Sequence, residues 1–236
     1  MHAVILAGGK GSRLRPFTFA IPKPLVPIGD IPIIELLIRQ LVAQGFTRAT
    51  VSVGHLAGLI ESFCSDGSQW GIPIDYVYED EPLGTVGSLG LIEHFDDDRV
   101  LVVNGDTLTD MSFADAYTSH SVEDAATICA NSRSVSIDFG VLEIDDNKTL
   151  TDYIEKPTLD YLVSMGTNIL TVDAVRRHLA VGERLDMPDL IDRFRSSGER
   201  VKVHRPDAYW LDLGRLEDLE TGTQIFSSDP ARFLGS

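Results

Sequence analysis

His2-Ala-Val-Ile-Leu-Ala-Gly8-Gly9-Lys10-Gly11-Ser12-Arg13-Leu14 is the stretch on which the fold turns. An apolar run from His2 to Ala7 closed by glycine has the pattern of a short, buried parallel strand. Gly8, Gly9 and Gly11 follow at once, and glycine lets backbone N–H groups close around a phosphate as an anion nest. Two familiar phosphate loops do not fit. A P-loop needs its lysine after the last glycine, whereas Lys10 precedes Gly11. A dinucleotide fingerprint needs a third glycine where Leu14 stands. The loop is an anion-binding turn of a third kind.

Charge singles out the same segment. The chain of 236 residues has 36 acids against 20 Lys and Arg, a formal net charge of −16. Yet Met1 to Gly29 contains no Asp or Glu and carries Lys10, Arg13, Arg15 and Lys23. An acidic protein with one basic, glycine-rich segment is suited to a concentrated anion there. The same net charge argues against nucleic acid or an anionic membrane surface as partner. No apolar run approaches the ~20 residues of a membrane span, and His2–Ala7 is too short and lacks the basic flank of a secretion signal. Two cysteines, Cys64 and Cys129, make neither a disulfide framework nor a metal cluster, so a reducing cytoplasm is expected.

Strand and helix signals alternate outward from the glycine loop. Gly8 to Asp30 reads as a long structured loop. Ile33, Ile34, Leu37, Ile38, Leu41 and Val42 form a helical stripe after Pro32, ended by Gly45. Thr50–Val53 and Ile74–Tyr78 read as strands, with helices expected near His55–Cys64 and over Val86–Phe95. Val100-Leu-Val-Val-Asn104 is a fourth strand that turns abruptly polar at Asn104-Gly105-Asp106. The second half is richer in strands, at 126–130, 140–144, 150–154, 165–172 and 201–203, with helices over 173–180, 188–195 and 218–226. The pattern predicts a single Rossmann-like α/β domain over 1–236, with a mixed, mostly parallel central sheet flanked by helices. Ligands in such sheets sit beyond the carboxyl ends of strands. Both the glycine loop and Asn104-Gly105-Asp106 fall there.

Ile21-Pro22-Lys23-Pro24-Leu25 holds one lysine between two prolines that fix φ, a stiff carrier for a cation. Taken together, G-G-K-G-S-R-L-R-P-F-T over 8–18 and P-K-P-L over 22–25 resemble the signature of the sugar-1-phosphate nucleotidylyltransferases, the nucleotide-sugar pyrophosphorylases. Further segments match in family order from residue 2 to about residue 226. Glu81-Pro-Leu-Gly84-Thr85 with Gly87 is similar to the base-recognition turn, and Val103-Asn-Gly-Asp106 to the strand-end metal site. Phe139-Gly140, Glu155-Lys156-Pro157 and Gly166-Thr-Asn168 resemble the sugar-site segments, and Tyr209-Trp-Leu-Asp212-Leu-Gly214 the late metal motif.

The resemblance implies attack of a sugar-1-phosphate on the α-phosphorus of a nucleoside triphosphate, with pyrophosphate leaving. It implies a nucleotide-binding half at about 1–110 and a sugar-binding half at about 111–226. Leu6, Ala7, Gly8, Gly9, Gly11, Ser12, Gly84 and Thr85 would line the nucleotide. Arg13 would neutralise the β,γ-phosphates, and Lys23 would stand near the reacting phosphates. Asp106 and Asp212 would hold Mg²⁺, a hard cation suited to oxygen ligands. Lys156 would bind the sugar phosphate and Glu155 the sugar hydroxyls, with Asn104, Gly140 and Asn168 completing that pocket. Glu79, five residues before the glycine of the turn, offers a carboxylate able to pair with guanine N1–H and its exocyclic amine, which ranks GTP above UTP and thymidine triphosphate. A homodimer is the family-level expectation.

Plainer readings stand beside these. Asp106 alone could be a helix cap, and Glu155-Lys156 alone a surface pair. Trp70 and Trp210 read as packing residues, and Asp96-Asp97-Asp98 as a solvated turn. A metal-dependent glycosyltransferase would show D-x-D after the central strand and no basic glycine loop. A non-catalytic nucleotide-sugar-binding subunit would lack some of Arg13, Lys23, Asp106 and Asp212, all of which are present.

Overall fold

A computed structural model describes residues 1–234. In chain order the strands are β1 (His2–Leu6), β2 (Pro27–Ile28), β3 (Ile31–Pro32), β4 (Arg48–Val53), β5 (Ile74–Tyr78), β6 (Arg99–Asn104), β7 (Thr107–Thr109), β8 (Asp124–Ser136), β9 (Val141–Ile144), β10 (Leu150–Ile154), β11 (Thr158–Thr171), β12 (Arg200–His204) and β13 (Trp210–Asp212). The helices are α1 (Ile33–Ala43), α2 (Ala57–Cys64), α3 (Phe113–Ser119), α4 (Val172–His178), α5 (Met187–Ser196), α6 (Leu216–Ser228) and α7 (Pro230–Leu234). Among the described residues no helix is long and apolar enough to cross a membrane.

Seven strands form the central sheet in the order β12-β8-β11-β6-β1-β4-β5. β11 runs antiparallel to both of its neighbours, and the other neighbouring pairs are parallel. This is the mixed, mostly parallel sheet expected from the sequence. Side chains of a strand alternate between faces, and here both faces are covered. Ala3 and Ile5 of β1, with Leu101 and Val103 of β6, pack on one side against Ile34, Leu37, Ile38 and Leu41 of α1. Val4, Val100 and Val102 face the other way, toward α4 and α5 through Val172, Val175, Leu190 and Phe194. Burial on both faces explains why β1 and β6 read as continuous apolar runs. α1 is buried on two sides, because Ile33 and Leu36 meet a third cluster with Leu213, Phe226 and Phe233 from the C-terminal segment. Cys64 and Cys129 are both buried thiols in no disulfide, and burial pushes each up to about 12.

Several expectations need correcting in detail. Val86–Phe95 is not a helix; only Gly87–Leu91 turns, as a short 3-10 segment. Two glycines weaken helix formation there, and Gly87 and Gly90 pack close to the carbonyls of Glu183 and Ala180, so tertiary contact sets the backbone. The loop from Gly8 to Asp30 contains three 3-10 turns, Ser12–Leu14, Phe17–Phe19 and Lys23–Leu25, and ends in the β2–β3 hairpin. β11 extends back to Thr158, so the segment after Pro157 is strand. The outer half of β8, the outer half of β11 and the β9–β10 hairpin together form an arm whose side chains are mostly exposed, among them Phe139, Leu142, Ile144, Tyr153 and Tyr161.

Candidate active site

The carboxyl ends of β1, β4 and β6 lie level, with Leu6 opposite both Ser52 and Asn104. A cleft of about 450 Å³ opens over these ends. The glycine-loop residues Leu6, Ala7, Gly8, Gly9, Gly11, Ser12 and Arg13 line it together with Lys23, Glu79, Gly84, Thr85, Asn104 and Asp106. All of these were expected at the nucleotide or the reacting phosphates, save Asn104, which was expected at the sugar, and Asp106, which was expected to hold Mg²⁺. Two backbone bonds lock the strand ends: Ala7 N–H donates to the Ser52 carbonyl at 2.8 Å and Gly105 N–H to the Leu6 carbonyl at 2.9 Å.

The loop is held open by its own bonds. Gly11 sits at φ +57°, where a side chain is strained, and its carbonyl accepts from the Thr18 hydroxyl at 2.8 Å. That bond seats Thr18 against the turn carrying Lys23, whose side chain is buried although it bears the charge. Burial of an ammonium requires partners. The Lys23 Nζ pairs with Asp106 and lies 3.9 Å from Asp212 Oδ1. Arg13 Nη1 stands 3.9 Å from the other oxygen of Asp212.

Asp106 and Asp212 are far apart in sequence and are brought together by a two-stranded ladder. β13 pairs antiparallel with β7, placing Asp212 opposite Thr107, and Leu213 N–H donates to the Asp106 carbonyl at 3.0 Å. Burial and then the nearby Asp106 charge hold the Asp212 carboxyl above the usual range, with Lys23 and Arg13 pulling the other way. Two carboxylates that share an ammonium form a compact oxygen-donor pair that a hard cation such as Mg²⁺ fits. Among the described residues no three of His, Cys, Asp and Glu gather as a metal cage. A cation held by this pair would therefore draw its other ligands from water or substrate.

The sequence and the fold are matched by known proteins. The nucleotidyl transferase family model covers residues 2–228. The chain belongs to that family. The chain is 34% identical to a UTP–glucose-1-phosphate uridylyltransferase of Synechocystis over 92% of its own length and 61% of the relative's. It is 31% identical to a mannose-1-phosphate guanyltransferase of Candida albicans over 96% of its length and 64% of the relative's. The chain thus spans a little over six-tenths of each relative. The crystal structure of HddC from Yersinia pseudotuberculosis superposes with a TM-score of 0.75 at 26% identity, covering 95% of this chain and 99% of that one. HddC complexed with GMP-PN gives 0.73 at 25% identity and the same coverage.

Elsewhere the fold separates residues that the sequence suggested together. Asn168 is buried in β11 between β6 and β8, and its Oδ1 has no partner. Gly140, Glu155 and Lys156 lie on the exposed arm and are not part of the cleft lining. Gly140 packs against the Tyr153 hydroxyl. Glu79 is already engaged, accepting from the Ser52 hydroxyl at 2.8 Å on one oxygen and from Leu83 N–H at 2.9 Å on the other. It also touches the glycine loop, since a Cβ on Gly8 would come within 2.6 Å of its Oε1.

Sequence reasoning missed Arg184 and Asp186 in the lining, whereas Pro24, Pro82, Gly105 and Gly214 fall inside motifs that the sequence displays. Asp186 has the clearest purpose: Thr85 N–H donates to its carboxylate at 3.0 Å, and Met187 N–H donates to the Thr85 hydroxyl at 2.7 Å. Leu185 N–H and Val86 N–H bond to the carbonyls of Leu83 and Leu185. The segment before α5 therefore clamps the 83–86 turn from outside. Thr85 and Asp186 lie 101 residues apart, and no local pattern links them.

Proposed function

We propose that this chain transfers a nucleoside monophosphate from a nucleoside triphosphate, preferably GTP, to a sugar-1-phosphate, giving a nucleoside-diphosphate sugar and pyrophosphate. The observation that supports it is the meeting of Lys23, Arg13 and Asp106 in the cleft beside the glycine loop, with Asp212 3.9 Å from both cations at the cleft's edge. A sugar-phosphate oxygen forms a bond to the α-phosphorus while the bond from that phosphorus to the bridging oxygen breaks. The bonding pair leaves with pyrophosphate. A phosphate monoester has its second pKa near 6, so the nucleophile is ionised near neutral pH and needs no general base. The protein's work is alignment and charge neutralisation.

In this reading the backbone of Gly8 to Ser12 meets the phosphates, Lys23 neutralises charge on the transferring group, and Arg13 does so on the leaving diphosphate. Asp106 and Asp212 would hold Mg²⁺, which supplies further neutralisation of phosphate charge when bound. Each Glu79 oxygen keeps a lone pair after its bond to Ser52 or Leu83, enough to accept guanine N1–H and N2–H. The sugar pocket takes Asn104 and Asn168 from the sheet and Gly140, Glu155 and Lys156 from the arm. The working unit is a homodimer, and light scattering that gives the mass of one chain overturns that assignment.

Pyrophosphate release measured across four triphosphates and a panel of sugar-1-phosphates tests the function. Release with GTP and one sugar-1-phosphate, dependent on Mg²⁺, is the expected result. Preference for UTP overturns the base assignment, and no release with any pair overturns the activity.

A further inference from the structure

A second cavity, of about 340 Å³, is lined by Arg13, Arg133, Trp210, Asp212, Arg215 and Asp218. It shares Arg13 with the nucleotide cleft, so the two spaces meet at that guanidinium. Its walls are fixed by the fold. Asn131, two residues before Arg133 on β8, donates its side-chain N–H to the Ala208 carbonyl at 2.9 Å, tying β8 to the segment before β13. The Trp210 indole N–H donates to the Met165 carbonyl at 2.9 Å, which sets the ring against the base of the arm. Arg215 immediately precedes α6.

Three guanidiniums border this one cavity although the chain as a whole stands at −16. Several arginines elsewhere are matched to carboxylates, among them Arg193 with Glu183, Arg200 with Asp124 and Arg232 with Asp110. Among the described residues Arg133 and Arg215 have no carboxylate within 4.0 Å, although both border a cavity that also contains two aspartates. Asp212 is occupied by Lys23 and Arg13. Guanidiniums without a carboxylate partner that border an open cavity beside Arg13 suit a multiply charged phosphate anion.

We infer that this cavity receives the diphosphate end of the triphosphate and holds pyrophosphate as it leaves, with Arg133 and Arg215 as its binding residues. The inference rests on the proposed transferase reaction. Arg13 belongs to the glycine loop, whose backbone N–H groups face the nucleotide, so the anion continuous with that loop is the tail of the triphosphate rather than the second substrate. When the bond to the bridging oxygen breaks, the pair remaining on that oxygen adds negative charge to the departing diphosphate. Arg13 at the junction then hands it to two further planar, fork-shaped donors.

The test is calorimetric titration of the full chain with pyrophosphate and Mg²⁺, alongside KM values for pyrophosphate in the reverse reaction and for sugar-1-phosphate in the forward one. Arg133→Gln and Arg215→Gln should each weaken pyrophosphate binding roughly tenfold, a charge-assisted bond discounted for exposure. Arg215→Lys should recover part of the loss. The sugar-1-phosphate KM should stay within twofold of wild type. Unchanged pyrophosphate affinity in both variants overturns the inference, as does a loss confined to sugar-1-phosphate. Circular dichroism melts confirm that these exposed substitutions leave the fold intact. A wild-type chain that releases no pyrophosphate with any substrate pair refutes the transferase reading itself, a result separate from any behaviour of the two variants.

Discussion

Lys23→Met removes the ammonium between Asp106 and Asp212 while keeping most of the side-chain volume. Lys23 lies 3.9 Å from the Asp212 oxygen. A unit charge at about 4 Å interacts by about 4 kcal/mol at an effective dielectric near 20. At a comparable separation from the transferring phosphoryl group, which gains only part of a charge in the transition state, half or more of that figure, about 2–4 kcal/mol, is lost from its stabilisation. At about 1.4 kcal/mol per tenfold, kcat should fall roughly 30- to 1000-fold. The apoprotein should also lose stability, by about 1–3 kcal/mol, because two carboxylates are left facing each other, reduced from the cost of a fully buried pair by the exposure of Asp212. Coupled pyrophosphate release gives kcat, and thermal melts with and without Mg²⁺ give the second effect. A divalent cation replaces the lost positive charge, so Mg²⁺ should raise the Tm of the variant more than that of wild type. A variant that turns over within threefold of wild type, or whose Tm responds to Mg²⁺ no more than wild type does, would refute this account of Lys23.

Three further substitutions probe the supports of the cleft. Gly11→Ala places a side chain at φ +57°, with its Cβ 2.9 Å from Thr18 Cγ2 and 3.2 Å from Lys23 Cβ. It should cost about 1–2 kcal/mol in urea denaturation and lower kcat about tenfold through the displaced lysine. Gly9→Ala meets nothing within 4 Å and should leave stability unchanged, which separates the strain from the mere loss of a glycine. Glu183→Gln addresses the clamp on the 83–86 turn. Hydrogen bonds from Arg193 hold the Glu183 carboxyl down at about 2, against an ordinary value of 4.5. A depressed carboxyl contributes stability that is present above its unfolded value and lost as pH falls through its folded one. The wild type should therefore exceed the variant in Tm at pH 6, and the gap should close between pH 4.5 and about 2. A gap that stays constant across that range would show that the charge on Glu183 does not support the loop.

The parts of the site legible in the sequence are those that follow a strand directly. Leu6 to Arg13 leave β1, and Asn104 to Asp106 leave β6, so an apolar run ending in glycine or Asn-Gly locates them without any knowledge of pairing. Lys23 is legible because two prolines make its segment stiff and unusual. Asp212 is different, since its role depends on the β7–β13 ladder, two three-residue strands too short to carry a period. Only its Trp-Leu-Asp-Leu-Gly context, read by resemblance, pointed to it. Asp186 had no such context. Its carboxylate matters because α5 packs beneath the sheet through Leu190 and Phe194, which brings the residues just before that helix against Thr85. The same contact undid the helix expected over Val86–Phe95, because Gly87 and Gly90 accommodate the carbonyls of that neighbouring segment. What the sequence hides is therefore of one physical kind: hydrogen bonds whose partners are joined by core packing between distant elements. Arg133 and Arg215 belong to this kind too. Each reads in sequence as one more solvated arginine, and only the pairing of β8 with β11 and of β13 with β7 sets both beside Arg13.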